Sequence, residues 1–218
     1  MENQHSAAGS SEVAAVRVFA GFFSYVFHPL FITTYVTAFL LYVHPYAFAG
    51  LEPKLKMFRM ASVIVSTLFL PGLAVLLARQ LDFVKSIYLH TQRDRIIPYI
   101  ISLTFYFWAW YVFKNLNDSP EAIKEFLLGA FLGVCVAWMA NIRFKISMHS
   151  TAVGGMLMFF ILQSFKDPVV GGLYVSVAVF ITGLVCTARL IMGGHTRFEV
   201  YAGLFAGALA QVAATWFA

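Results

Sequence analysis

IKEFLLGAFLGVCVAWMA, residues 123–140, is the stretch that decides the fold. From Phe126 to Ala140 it carries no charged side chain. A helix needs about 20 apolar residues to cross the hydrocarbon core of a bilayer. This segment therefore predicts a transmembrane helix.

The composition extends that prediction to the whole chain. Of its 218 residues, 61% are hydrophobic and 11% are charged, whereas soluble domains are roughly a quarter charged. These charges are too few to cover a globule, so lipid must cover much of the surface. We expect an all-α, polytopic helix bundle of six to seven transmembrane helices as one domain, residues 13–218. The polar residues 1–12, which lack the basic segment and cleavage site of a secretory signal, are expected to be disordered.

Working outward from residues 123–140, one ambiguous segment sets the number of spans. The apolar residues 17–43 are interrupted by His28-Pro29, and a proline cannot donate its backbone hydrogen bond inside a helix. Either an interfacial helix precedes one span, or residues 17–43 form a single kinked span. The remaining spans are predicted at Met57–Ala78, Ile96–Phe113, Thr151–Gln163, Val169–Ala188 and Phe198–Phe217.

Three polar patches interrupt the apolar pattern: a first patch at residues 79–95, a second at 141–149 and a third at 189–199. Two spans separate each patch from the next, and an even number of crossings returns the chain to the same side. All three patches are therefore expected on one face of the membrane. Several lysines lie on the other face, which the positive-inside tendency assigns to the cytoplasm. The patches hold still more basic residues, so the expectation of a periplasmic or outer face for them rests on those residues serving a site.

The third patch reads RLIMGGHTRFE and joins a base, an imidazole and an acid. Gly193-Gly194 end the preceding helix, and Thr196 with Glu199 has the form of a capping box. A helix N-terminus with a nearby arginine, Arg189, favours an anion. If Glu199 holds one nitrogen of His195, the other nitrogen is ready to attack. The alternative is that Glu199 only caps the helix and Arg189 reaches lipid headgroups.

The other two patches add cations and a second imidazole. Lys145, Ser147 and His149 alternate before a helix start that Ser147 or Ser150 is expected to cap. His149 would stand at that helix start, on the same face as His195. For Lys145, an ordinary lysine at the membrane interface is an equally good interpretation.

The first patch contributes basic residues alone to the expected site. It holds Arg93 and Arg95 before Pro98, with Lys85 upstream. Binding of lipid headgroups is the alternative for these side chains. A net charge of +5 suits anionic lipid or phosphate and gives no case for nucleic acid. Cys135 and Cys186 lie in apolar runs and are predicted to pack, not to form a disulfide or a metal site.

The order of these residues resembles the type-2 phosphatidic acid phosphatase superfamily of membrane lipid phosphatases, in a divergent bacterial branch. That family has Lys…Arg-Pro, then Pro-Ser-Gly-His, then Ser-Arg-x5-His-x3-Asp. Arg189, His195 and Glu199 keep the third spacing, with Ala188 for Ser and Glu for Asp. Residues 146–149, ISMH, keep the Ser and His of the second motif, and residues 93–98, RDRIIP, depart from the first.

The resemblance implies a role for each residue. His195 would form a phosphohistidine, oriented by Glu199, and His149 would protonate the leaving oxygen. The phosphoryl oxygens would be held by Arg189, Ser147, Lys145 and Arg93 or Arg95. No metal or cofactor is implied, because cationic side chains balance the charge.

Three functions remain open from the sequence. The first is hydrolysis of a lipid phosphate or pyrophosphate in a bacterial inner membrane. The second is a non-catalytic relative that binds anionic lipid or serves as a partner subunit of a membrane complex. The third, a transporter or channel, predicts charges in mid-span and ranks last. The small-residue pairs Gly129-x-x-x-Gly133 and Gly203-x-x-x-Gly207 indicate helix packing.

Overall fold

A computed structural model describes the backbone of residues 2–83 and 91–218 and the side chains of residues 14–83 and 91–218. Lys85 and His90 of the first patch lie outside the described residues. Within the described chain the secondary structure is helical, as expected. The helices are α1 (Glu2–Val26), α2 (Pro29–Ala38), α3 (Pro53–Ile64), α4 (Leu70–Gln80), α5 (Ile96–Lys114), α6 (Glu121–Ala140), α7 (Met148–Lys166), α8 (Leu173–Ile191) and α9 (Arg197–Phe217).

The described residues hold six helical segments long and apolar enough to cross a bilayer. The count becomes seven if α1 and α2, bent by 59° at His28, form one broken span. The chain is therefore a multi-pass membrane protein, and the prediction of six to seven spans is confirmed. The exposed side chains of α1, among them Phe19, Phe22 and Tyr25, fit an aromatic helix in contact with lipid. Both forms of the segment stay open.

Helix α1 differs from the expectation at its start. It begins at Glu2 and so includes residues 2–12, which the sequence predicted to be a disordered tail. Residues 2–28 contain no proline, so nothing in the backbone chemistry stops the helix from extending toward the N-terminus.

The second span runs as one body over Pro53–Gln80 despite Pro71. A π turn at Val65–Phe69 joins α3 to α4 just before that proline. A π turn is a common way to absorb a local break in the i to i−4 hydrogen bonds. The span thus accommodates Pro71 through a local change of helical pitch.

Helices α7 and α9 pack with their backbones in close contact. The α9 glycines Gly203 and Gly207 abut backbone carbonyls of the first turns of α7: an added Cβ would lie 2.7 Å from the Ser147 oxygen and 1.9 Å from the Thr151 oxygen, respectively. The packing role predicted for Gly203-x-x-x-Gly207 is confirmed. This contact fixes the N-terminal ends of two helices side by side, where the second and third patches lie.

The opposite end of the bundle is closed by separate polar contacts. Glu125 is buried, pairs with Lys166 and accepts a hydrogen bond from the Gln163 amide at 3.0 Å. His44 Nε2 lies 3.1 Å from Asp167 Oδ2. Both cysteines are free, as predicted. At this end these polar side chains pair with one another, so we look for a functional site at the other end, where the three polar patches lie.

Candidate functional site

The three polar patches meet at one end of the bundle. Arg95 of the first patch donates from Nη1 to the Ile146 carbonyl oxygen of the second, at 2.8 Å. His195 of the third patch has its Nδ1 3.1 Å from the Lys145 carbonyl oxygen. The prediction that an even number of crossings gathers the patches on one face is confirmed.

A glycine turn and a helix cap determine the backbone conformation of the third patch. Gly193 takes a φ of +66°, a conformation that favours glycine, directly after α8. Thr196 then caps α9: its Oγ1 accepts the Glu199 N–H at 3.2 Å, and Glu199 Oε2 accepts the Thr196 N–H at 3.0 Å. The predicted capping box is confirmed. It places His195 immediately before the positive end of a helix dipole.

Two acceptors fix the tautomer of His195. Its Nδ1 lies 3.0 Å from Glu199 Oε2 and 3.1 Å from the Lys145 carbonyl oxygen. Both partners only accept hydrogen bonds, so Nδ1 carries the proton and Nε2 keeps its lone pair. Glu199 therefore caps α9 and orients the His195 imidazole at the same time. Capping and orientation, which the sequence left as alternative roles for Glu199, are both present.

The surroundings of His195 keep its imidazole neutral at pH 7. Burial is the largest cause that lowers the pKa of His195, to about 4. The Glu199 carboxylate opposes this through its hydrogen bond and its charge, while the Arg95 and Arg189 guanidinium groups lower the pKa further. A neutral imidazole with a free nitrogen is the form that can act as a nucleophile.

The second imidazole, His149, is also held at one nitrogen. It lies in the first turn of α7, and its Nε2 is 3.0 Å from the Ser24 carbonyl oxygen. Ser24 O would accept from the His28 N–H in a continuous helix, but that N–H bonds to the Tyr25 oxygen instead. The carbonyl at the end of α1 is thus available, and it fixes the His149 proton on Nε2. The Nδ1 of His149 is the nitrogen left to gain or lose a proton.

Arg189 joins the surroundings of both imidazoles. Its charge acts on His149 and on His195, and His195 itself acts on His149. The Arg189 guanidinium lies against Gly194, where an added Cβ would be 3.1 Å from Nη2. The structure therefore places His149, Arg189 and His195 within electrostatic range of one another, with Arg95 also in range of His195 and Glu199 hydrogen-bonded to the His195 ring.

The remaining predicted residues are placed differently. Arg93 is exposed on the short turn Arg93–Arg95, whereas Arg95 is half-buried against the second patch. Of the two arginines that the sequence offered, Arg95 is the one at the site. Lys145 orients His195 through its carbonyl oxygen, a contact that needs no lysine side chain.

Ser147 requires a correction. Its side chain is fully buried, and its Oγ accepts the Ser150 N–H at 3.4 Å and the Ser150 hydroxyl at 3.1 Å. The capping role predicted for it is confirmed, but this hydroxyl is not presented to a phosphoryl group. The close contact with α9, where the Ser147 N–H bonds to the Glu199 carbonyl oxygen at 3.2 Å, explains the burial.

His28 belongs to the site although its sequence context did not predict it. It was treated only as a helix break, yet its ring lies against His149 with centroids 5.3 Å apart. The contact between α1 and the start of α7 spans more than 120 residues of chain, so no local pattern announces it. The one available signal was a third histidine at a membrane-facing helix end beside Pro29.

Among the side chains that the structure describes, no three of His, Cys, Asp and Glu are arranged to hold a metal ion. Cationic side chains are the groups available here to balance the charge of an anion. In the comparisons with known proteins, no family model matches the chain, and neither curated proteins nor solved structures give a significant match.

Proposed function

We propose that the chain is a membrane-embedded phosphatase that removes phosphate from a lipid phosphate or pyrophosphate through a phosphohistidine at His195. The observation that carries the proposal is the state of this imidazole. Its Nδ1–H is held by Glu199 and by the Lys145 carbonyl, which leaves Nε2 unprotonated within the field of two arginines. An uncharged nucleophile beside fixed cations suits attack on a phosphoryl group.

The reaction follows in two balanced steps. Nε2 of His195 attacks phosphorus, and the bond from phosphorus to the lipid oxygen breaks. The lipid oxygen takes the proton from Nδ1 of protonated His149, whose other nitrogen stays bonded to the Ser24 carbonyl. Water then attacks phosphorus while its proton passes to the Nδ1 of His149 that the first step left free; the P–N bond breaks, the electron pair returns to Nε2 of His195, and inorganic phosphate leaves. Glu199 stabilises the positive charge that the His195 ring carries while it is phosphorylated.

Arg95 and Arg189 would bind the phosphoryl oxygens. Their charges also disfavour a proton on His195 in the absence of an anion. A bound phosphate dianion offsets these charges, so substrate binding itself would allow His149 to take up its second proton. His149, the proton donor, would then carry a positive charge only when a substrate with its leaving group is bound.

An apolar cavity beside the site supports a lipid substrate. It has a volume of about 60 Å³ and runs between α2, α5, α6, α7 and α9. Pro29 and Met148, the chain neighbours of His28 and His149, line one part of it, and small residues such as Gly133 and Gly155 line another. In this proposal the few atoms of hydrocarbon next to the phosphate would occupy this space, and the rest of the lipid tail would lie in the bilayer.

The proposed location is the inner membrane of a bacterium, with the polar face toward the periplasm. Lys54, Lys56 and Lys166 lie at the opposite end of the bundle, which agrees with a cytoplasmic location for that end. Substrates that fit are polyprenyl pyrophosphate, phosphatidic acid, phosphatidylglycerophosphate and lipid A phosphates.

Phosphate release from each of these four lipids tests the proposal. The purified chain in detergent should release phosphate from at least one of them, and His195→Asn should abolish the release. His44→Asn is the matched control, because it removes a buried imidazole from the other face. No release from any of the lipids, or equal release with and without His195, would end the proposal.

One observation favours a second function, the binding of lipid phosphate without turnover. Ala188 occupies the position of a hydroxyl residue in the motif that the chain resembles, and the Ser147 hydroxyl is buried. Two hydroxyl donors are thus unavailable to a phosphoryl group. Retention of a lipid phosphate by the purified chain without phosphate release would favour this function.

A further inference from the structure

His28 occupies the bend between α1 and α2, where the two helices turn by 59°. It is the N-cap of α2, and its Nδ1 accepts the Leu30 N–H at 3.4 Å. Since Nδ1 acts as an acceptor, the proton of the neutral ring is on Nε2. His28 therefore presents one N–H donor on the side of the ring away from the cap.

The ring of His28 lies among the residues of the candidate site. It packs edge-on against the His149 ring, with centroids 5.3 Å apart and an interplanar angle of 86°. The charge of Arg189 acts on His28 as it acts on His149. The side chain is half-buried, so it retains access to a bound molecule.

We propose that His28 is a further phosphate-binding residue, which donates its Nε2–H to an oxygen of the phosphoryl group held by Arg189. This inference rests on the proposed function. A neutral donor adds a hydrogen bond to the anion without adding, to the two arginines, a further positive charge that would repel the protonated form of His149. The bend between α1 and α2 then becomes a working part of the site, since it carries both His28 and the Ser24 carbonyl that orients His149.

Two substitutions separate this role from helix capping. Asn and Asp are both strong N-cap residues, so His28→Asn and His28→Asp preserve the cap of α2. Asn removes the ring N–H, and Asp also places a negative charge beside the anion. If His28 served only as a cap, His28→Asn would bind phosphate as the unchanged chain does, so this neutral variant is the one that discriminates; the Asp variant measures how close position 28 lies to the anion.

The experiment measures binding of inorganic phosphate to the full-length chain in detergent, together with KM for the lipid that is hydrolysed. His28→Asn should weaken phosphate binding about tenfold, the usual worth of one hydrogen bond to a charged group, and should raise KM more than it lowers kcat. His28→Asp should weaken binding by a further large factor. His44 also accepts backbone N–H groups at Nδ1, from Tyr46 and Ala47, so His44→Asn is the matched control and should bind normally.

The possible outcomes separate the two proposals. Unchanged phosphate affinity in His28→Asn, with phosphate release intact in the parent chain, would overturn the role of His28 and leave the proposed function standing. Absence of both phosphate binding and phosphate release in the parent chain would overturn both. An imidazole nitrogen NMR spectrum of His28→Asn should still show the His149 proton on Nε2. A changed His149 tautomer with weakened binding would assign the loss to His149 and would also overturn the direct contact.

Discussion

Replacement of Gly207 by alanine tests how the site is built, because this glycine sets the distance between α7 and α9. A Cβ at Gly207 would lie 1.9 Å from the Thr151 carbonyl oxygen and 2.8 Å from the Gly155 nitrogen. Both are backbone atoms of α7, so no side chain can rotate away. Ordinary contact begins near 3.4 Å, so the helices must separate locally by about 1.5 Å.

The cost of that separation follows from the packing. Overpacking a tight contact costs about 1–3 kcal/mol, and for a protein of this size each kcal/mol lowers Tm by roughly 2–4 °C. Gly133→Ala is the control, since its added Cβ would meet nothing closer than the Thr151 methyl at 3.6 Å. That variant should be neutral or slightly more stable, because alanine favours helix by about 1 kcal/mol over glycine.

Thermal unfolding in detergent, followed by circular dichroism, measures both variants. Gly207→Ala should unfold several degrees below the parent chain and Gly133→Ala should not. The shift of α9 should also move Glu199 away from the second patch. A displacement near 1 Å can cost about a hundredfold in rate, so phosphate release should fall more steeply than stability. Equal Tm values for Gly207→Ala and the parent chain would refute this account of the α7–α9 contact.

Three further predictions concern single side chains. Nitrogen NMR of the imidazoles should find His195 neutral at pH 7 with its proton on Nδ1, and protonated only near pH 4; Glu199→Gln should lower that pKa further, and a midpoint at or above 6.5 would contradict the burial argument. Because the pKa of His195 in the folded chain lies below its ordinary value of 6.5, stability should be lost as the pH falls from about 6.5 toward 4. Ser147→Ala should lower the free energy of unfolding by about 1 kcal/mol through loss of the α7 cap, with phosphate affinity unchanged; weakened phosphate binding would return Ser147 to the site. Lys166→Met should lower the free energy of unfolding by about 1–2 kcal/mol, since it leaves the buried Glu125 carboxylate with fewer partners. Adding Glu125→Gln to that variant should recover part of the lost stability in thermal unfolding. No recovery would show that the two side chains are not coupled.

The spans were predictable because lipid imposes one strong rule. Every backbone polar group inside a bilayer must be bonded within the protein, so long uncharged stretches such as Phe126–Ala140 have to be helical. The start of α7 was less certain. Its first helical residue is Met148, three residues before the predicted Thr151, because the cap belongs to Ser147.

The His195–Glu199 pair was predictable because it is local. Four residues separate the two, and the capping box that holds them can be read from Thr196 and Glu199 alone. The contacts of His149 were not predictable in the same way. Its partners Ser24 and His28 come from a helix at the other end of the sequence, and their meeting depends on how α1 packs against the bundle.

Which of Arg93 and Arg95 lies at the site was also not predictable from the sequence. Both lie on one turn of three residues, and both precede the same span. Only the direction of that turn relative to the second patch decides that Arg95 bonds to the Ile146 carbonyl while Arg93 faces outward. Sequence spacing carries no information on such a rotation.

A trapped covalent intermediate tests the central claim most directly, namely that His195 accepts a phosphoryl group. The purified chain is mixed with a lipid pyrophosphate carrying a radiolabelled terminal phosphate, quenched within one turnover and digested. We expect label that is labile to acid and stable to alkali, as phosphohistidine is, on the peptide containing His195, and its absence from His195→Asn. Phosphate release without any labelled peptide, or label on a residue other than His195, would contradict the account.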